Sequence, residues 1–374
     1  MRFIDEFRQP SFAKALAGKI QKWAGPPVNL MEVCGTHTVS IFRNGIRDLL
    51  PPQVGLLSGP GCPVCVTPDR EIDKAIALAK DPKVIISTFG DMMKVPGSYS
   101  SLNEAKAEGA DVRVVYSAMD SLEIARDNPG KDIVFFGVGF ETTAPTTAAS
   151  VLEAKRLGLK NYFLLSVHKL VPPAMKVLLE AKEVRIDGFI CPGHVSTIIG
   201  SHPYEFIPRD YGIPCVIAGF EPVDILQSID MLLEMYSGAK AEVAIQYSRA
   251  VRSAGNLSAL NIMSRSFQVS AVEWRGIGTI PESGLKLAKE LESFTAEKHF
   301  QIRTKPPRKI PECRCGDVLR GVCTPPECSL FDTGCNPEHP IGPCMVSSEG
   351  TCSAWFLYSS REREDGILSM EAGR

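Results

Sequence analysis

No stretch of the 374-residue sequence approaches the roughly 18 consecutive apolar residues that span a bilayer. The start, from Met1 to Phe7, is charged and lacks the apolar segment of a secretory leader. No run of Lys or Arg offers a surface for tracking phosphates, and 41 basic side chains nearly balance 43 acidic ones, for a net charge of −2. These absences predict a soluble, cytoplasmic protein with neither nucleic acid nor membrane as partner. Static disulfide frameworks are rare in that reducing compartment. The twelve cysteines therefore need another reason.

Seven of them crowd into the tail, at Cys313, Cys315, Cys323, Cys328, Cys335, Cys344 and Cys352. The tail lacks Cys-x2-Cys knuckles, which argues against a zinc ribbon. The Cys-x3-Cys-x2-Cys loop of radical-SAM enzymes is also absent, so a cubane cluster here would have all four corners held by protein. Such a cluster transfers electrons rather than binding substrate. Residues Cys313, Cys328, Cys335 and Cys352 form one such set, C-x14-C-x6-C-x16-C, although chemistry alone does not select four of the seven.

A chain of this length exceeds a single core, so two or three domains are expected. Short β-branched runs near residues 28–33, 54–57, 84–87, 112–116, 133–137, 162–166, 188–191 and 214–218 end in small or polar residues and precede helix-like stretches. Their spacing of about 25 to 30 residues is that of βα units. The expected fold class is α/β, with two consecutive parallel-sheet domains of similar plan and a third, C-terminal region in which metal ligation supplies order. The expected boundaries are 1–130 for the first, carrying Cys34 and the Cys-Pro-Val-Cys motif, 131–240 for the second, and 241–374 for a helical, cysteine-rich third. The break between sheets is expected in Arg126–Lys131. Thr67 and Pro68 read as N-cap and first residue of a helix. Beyond residue 240 a helical stretch to Phe267, the segment Glu273-Trp-Arg-Gly-Ile-Gly278 and a hinge at 305–308 are expected.

Ligands of open α/β sheets bind beyond the carboxyl ends of the strands. Five segments with reactive side chains fall there: Cys34–His37, Gly59–Cys65, Thr88–Asp91, Gly139–Thr143 and Cys191–His194. Cys62 and Cys65 precede a helix start, whose free N–H groups and dipole favour thiolate, so the pair suits redox or ligand chemistry. Cys34, three residues before His37, presents one thiol beside a base or donor. Asp91, Glu141, Thr142 and His194 are further cleft candidates. The Gly137-Val-Gly139 run lacks a third glycine at position 142, which argues against dinucleotide binding. Cys191 and Cys215 lie in apolar runs and read as packing, and the remaining histidines carry no usable signal.

Several motifs together resemble the NiFe-hydrogenase maturation protein HypD family over nearly the whole chain. They are Met31–His37 (MEVCGTH), Gly59–Cys65 (GPGCPVC), Gly139–Thr143 (GFETT), Cys191–Val195 (CPGHV), Cys315–Arg320 (CGDVLR) and Cys344–Cys352 (CMVSSEGTC). The resemblance implies two Rossmann-like parallel-sheet domains plus a C-terminal iron–sulfur domain, and a maturation factor and metallochaperone with a 4Fe-4S cluster. With a HypC-like small chaperone it would hold an iron ion while two cyanides and one CO are attached, for delivery to the hydrogenase large subunit. A HypE-like partner would donate cyanide from a thiocyanate. It further implies Cys34 as iron ligand, Cys62 and Cys65 as a thioredoxin-like pair, His37 as a motif residue, and Cys313, Cys328, Cys335 and Cys352 as the cluster ligands. Cys315 and Cys344 are left as a second redox pair, and Cys323 falls outside the family pattern.

Releasing cyanide from a thiocyanate needs two electrons, whereas the cluster passes one at a time, and dithiols bridge that mismatch. A relay from the cluster through Cys315 and Cys344 to Cys62 and Cys65, and then to the iron site at Cys34, is expected, which requires the tail to pack near the first domain. Two other readings compete. One is a free-standing iron–sulfur-fed thiol–disulfide oxidoreductase, which would not depend on Cys34. The other is a zinc-stapled tail.

Overall fold

The computed structural model describes residues 5–238, 240–308 and 312–359. Eight strands form where the β-branched runs predict them: β1 (Val28–Glu32), β2 (Val54–Ser58), β3 (Val84–Thr88), β4 (Val112–Val114), β5 (Asp132–Gly137), β6 (Tyr162–Ser166), β7 (Gly188–Pro192) and β8 (Cys215–Ala218). Three more follow: β9 (Val243–Ile245), β10 (Phe267–Trp274) and β11 (Gly278–Leu287). Strands such as β3, β7 and β8 are buried along their whole length. Helices covering both faces of parallel sheets impose that near-continuous apolar character.

Sheet membership departs from the expected division. One parallel sheet has the order β2-β1-β7-β8-β9, the other β4-β3-β5-β6. The segment Arg126–Lys131 therefore separates no domains: β3 pairs with β5 across it, with Val84 opposite Asp132. The chain leaves the first sheet after β2, builds the second, and returns at β7, where Leu30 lies opposite Gly188. The boundary at 130/131 is corrected accordingly. Spacing along a chain reports βα units, whereas the choice of neighbour is made in space, and sequential strands are neighbours only about two-thirds of the time.

A shared core joins the sheets, with Met31, Phe189 and Cys191 of the first and Ile86, Val134 and Phe136 of the second in one buried cluster. On the outer face of the first sheet, Ala13 and Ile20 of helix Pro10–Ile20 meet Ile225 and Ile229 of helix Pro222–Ser237 over Val28, Ile190 and Val216. Past residue 240, the expected long helix is shortened to Leu257–Ser266 by β9, and the segment Glu273–Gly278 joins the antiparallel strands β10 and β11 through a turn at 275–277. The stretch 305–308 has no regular structure, and 309–311 lie outside the described residues.

The cysteine-rich tail has short elements, Cys315–Leu319, Pro325–Glu327, Pro343–Val346 and Thr351–Tyr358. The last of these packs on helix Gly35–Arg43, with the Phe42 and Trp355 ring centroids 5.0 Å apart. The tail thus folds back on the first strand–helix unit. Among the described residues no helix is long and apolar enough to cross a membrane.

Candidate functional site

Cys34 ends the turn after β1 and stands at the N-cap of helix Gly35–Arg43. Its amide donates to Glu32 Oε2 at 3.0 Å, while Thr38 Oγ1 donates to Glu32 Oε1 at 2.5 Å. The loop after β2 closes over it, with the Gly35 amide donating to Gly61 O at 3.0 Å. A Cβ on Gly61 would lie 2.1 Å from the Cys34 nitrogen, so only glycine allows this approach. The Cys34 thiol is pushed up to about 12, first by burial and then by the Glu349 and Glu32 carboxylates, against the amides of His37 and Thr36. Burial and the carboxylates both favour the neutral thiol. Glu349 reaches this corner from the tail, accepting from Thr36 Oγ1 at 2.7 Å.

The His37 ring turns toward the first sheet. Its Nε2 lies 2.9 Å from Gly219 O and 3.3 Å from Ala218 O. Carbonyl oxygens only accept, so Nε2 carries the proton. Nδ1 is buried without a partner, and burial lowers the pKa to about 4. His37 is therefore a neutral imidazole tethering the helix to the end of β8, with one free acceptor. Its ring centroid lies 4.9 Å from that of Phe220, whose other neighbour is His194, stacked at 3.9 Å. His194 thus joins the Cys34 corner, its own pKa lowered by burial.

Cys62 and Cys65 are joined in a disulfide with a Cα–Cα distance of 5.3 Å. The Cys65 amide donates to Cys62 Sγ at 3.2 Å. The following helix is Asp69–Ala79 with Pro68 at the N-cap, one residue later than expected, because Thr67 Oγ1 donates back to Pro63 O at 2.8 Å instead of capping. The disulfide faces the tail: Cys62 Sγ lies 3.4 Å from Ser347 Oγ and Cys65 Sγ 4.0 Å from Pro343 O. Between those two tail residues, Cys344 Sγ stands 2.7 Å from Cys315 Sγ. Both are buried. Interactions with Cys315 and Cys352 and then burial raise the Cys344 thiol well above the usual range, while the Cys344 contact lowers that of Cys315.

Cys313, Cys328, Cys335 and Cys352 line a small cavity together with Leu330, Phe331 and Met345. The Cys313 thiol is pushed up to about 12 by burial, with Cys315, Cys328 and Cys335 adding to the rise. Among the described residues no three His, Cys, Asp or Glu side chains are grouped to hold one metal ion. Cys315 and Cys344 line the same cavity, so six thiols border it; thiolates are the donors that hold iron–sulfur clusters. Cys323 is absent from that lining; burial pushes its thiol up to about 11.

The other expected residues lie elsewhere. Glu141 is buried and accepts the Val171 amide at 3.0 Å, serving the start of helix Val171–Ala181. Its second oxygen has no partner, and burial raises its pKa to about 7. Thr142 is half-buried beside it, and Asp91 is exposed on the turn Gly90–Met92. The five strand ends divide between two sheets, with β1, β2 and β7 in one and β3 and β5 in the other. Cys191 and Cys215 are fully buried on neighbouring strands. Glu32, Phe220, Ser347 and Glu349 were not singled out by sequence, although Glu32, Ser347 and Glu349 lie inside motifs quoted above. Nor was Lys169, which is 2% exposed and donates to Glu273 O at 2.7 Å, its amine lowered to about 8 by burial.

Comparison with known proteins adds a separate line of information. The profile of the HypD family, described as a hydrogenase formation hypA family, matches residues 11–359. The chain is 48% identical over 373 residues to the hydrogenase maturation factor HypD of Azotobacter vinelandii, covering 97% of this chain and 98% of that protein. It is 45% identical over 372 residues to the hydrogenase maturation factor HypD of Escherichia coli strain K12, covering 97% and 100%. A third relative, the hydrogenase maturation factor HypD of Cupriavidus necator, is 46% identical over 368 residues, covering 96% and 97%.

Proposed function

The chain belongs to the HypD family of hydrogenase maturation factors, and from that premise we propose that it is a redox-active scaffold for an iron centre. An iron ion, the substrate, is held at Cys34 with a HypC-like small chaperone. Two cyanides from a HypE-like donor and one CO are attached there before delivery to the hydrogenase large subunit. The observation that carries this reading is the reach of one tail segment. Pro343 and Ser347 meet the Cys62–Cys65 disulfide, Cys344 meets Cys315, and Glu349 meets the Cys34 loop.

A 4Fe-4S cluster held by Cys313, Cys328, Cys335 and Cys352 would supply electrons singly. The remaining chemistry belongs to the thiols. A thiolate of the Cys315/Cys344 pair attacks one sulfur of the Cys62–Cys65 disulfide, the S–S bond breaks, and the other sulfur leaves as thiolate. The second tail thiol resolves the mixed disulfide, so the tail pair is oxidised as the Cys62/Cys65 pair is reduced by two electrons. At Cys34, burial and the Glu32 and Glu349 carboxylates keep the unliganded thiol protonated, and a cation offsets both effects.

Infrared spectroscopy tests this on the protein purified anaerobically with its small partner. Cyanide and CO stretches from bound iron in the wild type, lost in Cys34→Ala, are the expected result. A wild-type complex that supports hydrogenase maturation yet shows neither stretch refutes it, and full maturation activity in Cys34→Ala favours the free-standing oxidoreductase.

A further inference from the structure

The turn of the β10–β11 hairpin touches both thiol pairs' neighbourhoods. Trp274, at its base, is fully buried, donates from Nε1 to Ser283 Oγ at 2.9 Å and stacks on Phe140. The next residue, Arg275, reaches the loop after Cys65. Its amide donates to Val66 O at 2.9 Å, its Nε to Thr67 O at 2.8 Å, and its Nη1 pairs with the Asp69 carboxylate. On the opposite side of the turn, Gly276 lies against Gly316, the residue after Cys315. A Cβ on Gly276 would stand 2.2 Å from Gly316 Cα. Arg320, at the end of helix Cys315–Leu319, donates to Gly276 O. One turn therefore fixes the spacing between the Cys65 loop and the Cys315 helix.

Arg275 has a donor left over. Among the described residues its buried Nη2 has no hydrogen-bond partner while Cys62 and Cys65 are joined as a disulfide. A disulfide carries no charge and is a weak acceptor, whereas opening it creates a thiolate beside the same loop. We infer that Arg275 is a positioning residue for thiol exchange: it holds the Cys62–Cys65 loop against the hairpin turn, and its free Nη2 pairs with the thiolate released when the disulfide opens. This deepens the proposed redox reading and rests on it for the electron donor. In that exchange the Cys62–Cys65 bond breaks and takes up two electrons from the Cys315/Cys344 dithiol, which closes to a disulfide. The guanidinium stabilises the leaving sulfur without itself gaining or losing a proton, since arginine stays charged throughout.

The test uses the full chain, equilibrated with mixtures of reduced and oxidised dithiothreitol, quenched by alkylation and read by peptide mass spectrometry at Cys62 and Cys65. Losing a charge-assisted hydrogen bond to the thiolate makes Arg275→Met require about tenfold more reduced reagent for half-reduction. Arg275→Lys, which keeps a cation but not the fork, recovers most of the shift. A merely structural role would move the Met and Lys variants alike. Asp69→Asn frees the guanidinium from its carboxylate and shifts the balance toward easier reduction, giving a readout that survives if Arg275→Met does not fold. A Met variant that titrates like wild type, equal shifts in Met and Lys, or an Asp69→Asn shift in the opposite direction each overturns the inference. Missing cyanide and CO bands would refute the scaffold reading and leave this equilibrium untouched, so the two failures are separable.

Discussion

Ser347 Oγ lies 3.4 Å from Cys62 Sγ although 285 residues separate them. That contact and the Thr36–Glu349 hydrogen bond at 2.7 Å place the tail on the loops after β1 and β2, the proximity that thiol exchange demands.

Tail docking depends on an aromatic clamp. Phe42 is 5% exposed, meets Trp355 at 5.0 Å, and carries the Arg47 guanidinium 4.8 Å above its ring. Phe42→Ala removes both contacts and leaves a cavity, at a cost of about 3 kcal/mol. Chemical denaturation measures that loss. Cys34, 8% exposed in the folded chain, is expected to alkylate faster in the variant, because the clamp holds the segment that covers its loop. Unchanged alkylation with lowered stability would separate the clamp from the cover.

The tail cysteines divide by position. Cys328 is one of the six cysteines that line the tail cavity and Cys323 is not. Cys328→Ala is expected to lose the brown chromophore and bound iron after anaerobic purification, while Cys323→Ala keeps both. Cys315→Ala should retain iron yet no longer reduce Cys62–Cys65, since the proposed exchange runs through its 2.7 Å contact with Cys344. Iron analysis, visible absorbance and alkylation of Cys62 and Cys65 check the three variants.

Eight of the nine strands in the two parallel sheets were legible as short β-branched runs, most of them buried on both faces, whereas the half-buried β9 was missed where a helix was expected. The division between the sheets was not. β1 pairs with β7 through Leu30 and Gly188, and nothing local to either strand marks that choice. Cys62 and Cys65 could be recognised from their spacing and flanking glycines. Glu349, by contrast, acquires its place at Cys34 only when the tail folds back. His37 shows the same limit: its sequence position beside Cys34 suggested a base or a donor, and Nε2 does donate, but to the carbonyls of Ala218 and Gly219, at the end of a strand some 180 residues away. The one-residue shift of the helix start at Pro68 arose from a competing local bond, Thr67 to Pro63 O.

Buried titratable groups give the stability a worked pH dependence. Glu141 has its pKa raised to about 7 by burial, above the unfolded value of about 4.3. The folded state then binds more protons than the unfolded one between those values, so stability falls as pH rises through this window. His168 acts in the opposite sense. Burial lowers its pKa to about 4, with Lys169 contributing, so stability is lost as pH falls below about 6.5. Glu141→Gln removes the first effect and keeps an acceptor for the Val171 amide. Relative to wild type the variant should gain about 3 kcal/mol between pH 4.5 and 7.5, read by denaturation at several pH values. A pH-independent difference would mean that the carboxyl is not held neutral.

Cys34 and the disulfide pair are predicted to fail in different ways. Cys34 is a single thiol held neutral by burial and by the nearby Glu349 and Glu32 carboxylates, so it has no partner with which to exchange electrons but is placed to accept a cation. Cys34→Ala should therefore fold, keep the tail chromophore and keep a reducible Cys62–Cys65 pair, yet retain no iron at the first-strand corner. Cys62→Ser removes the exchange step and leaves Cys34 and its covering loop intact, so added Fe²⁺ should still bind with the small partner present while the cyanide stretches never develop. Iron retained per chain distinguishes the two variants, and infrared bands read the second. Equal iron loss in both would mean that the pair and Cys34 form one binding site rather than a ligand and its reductant.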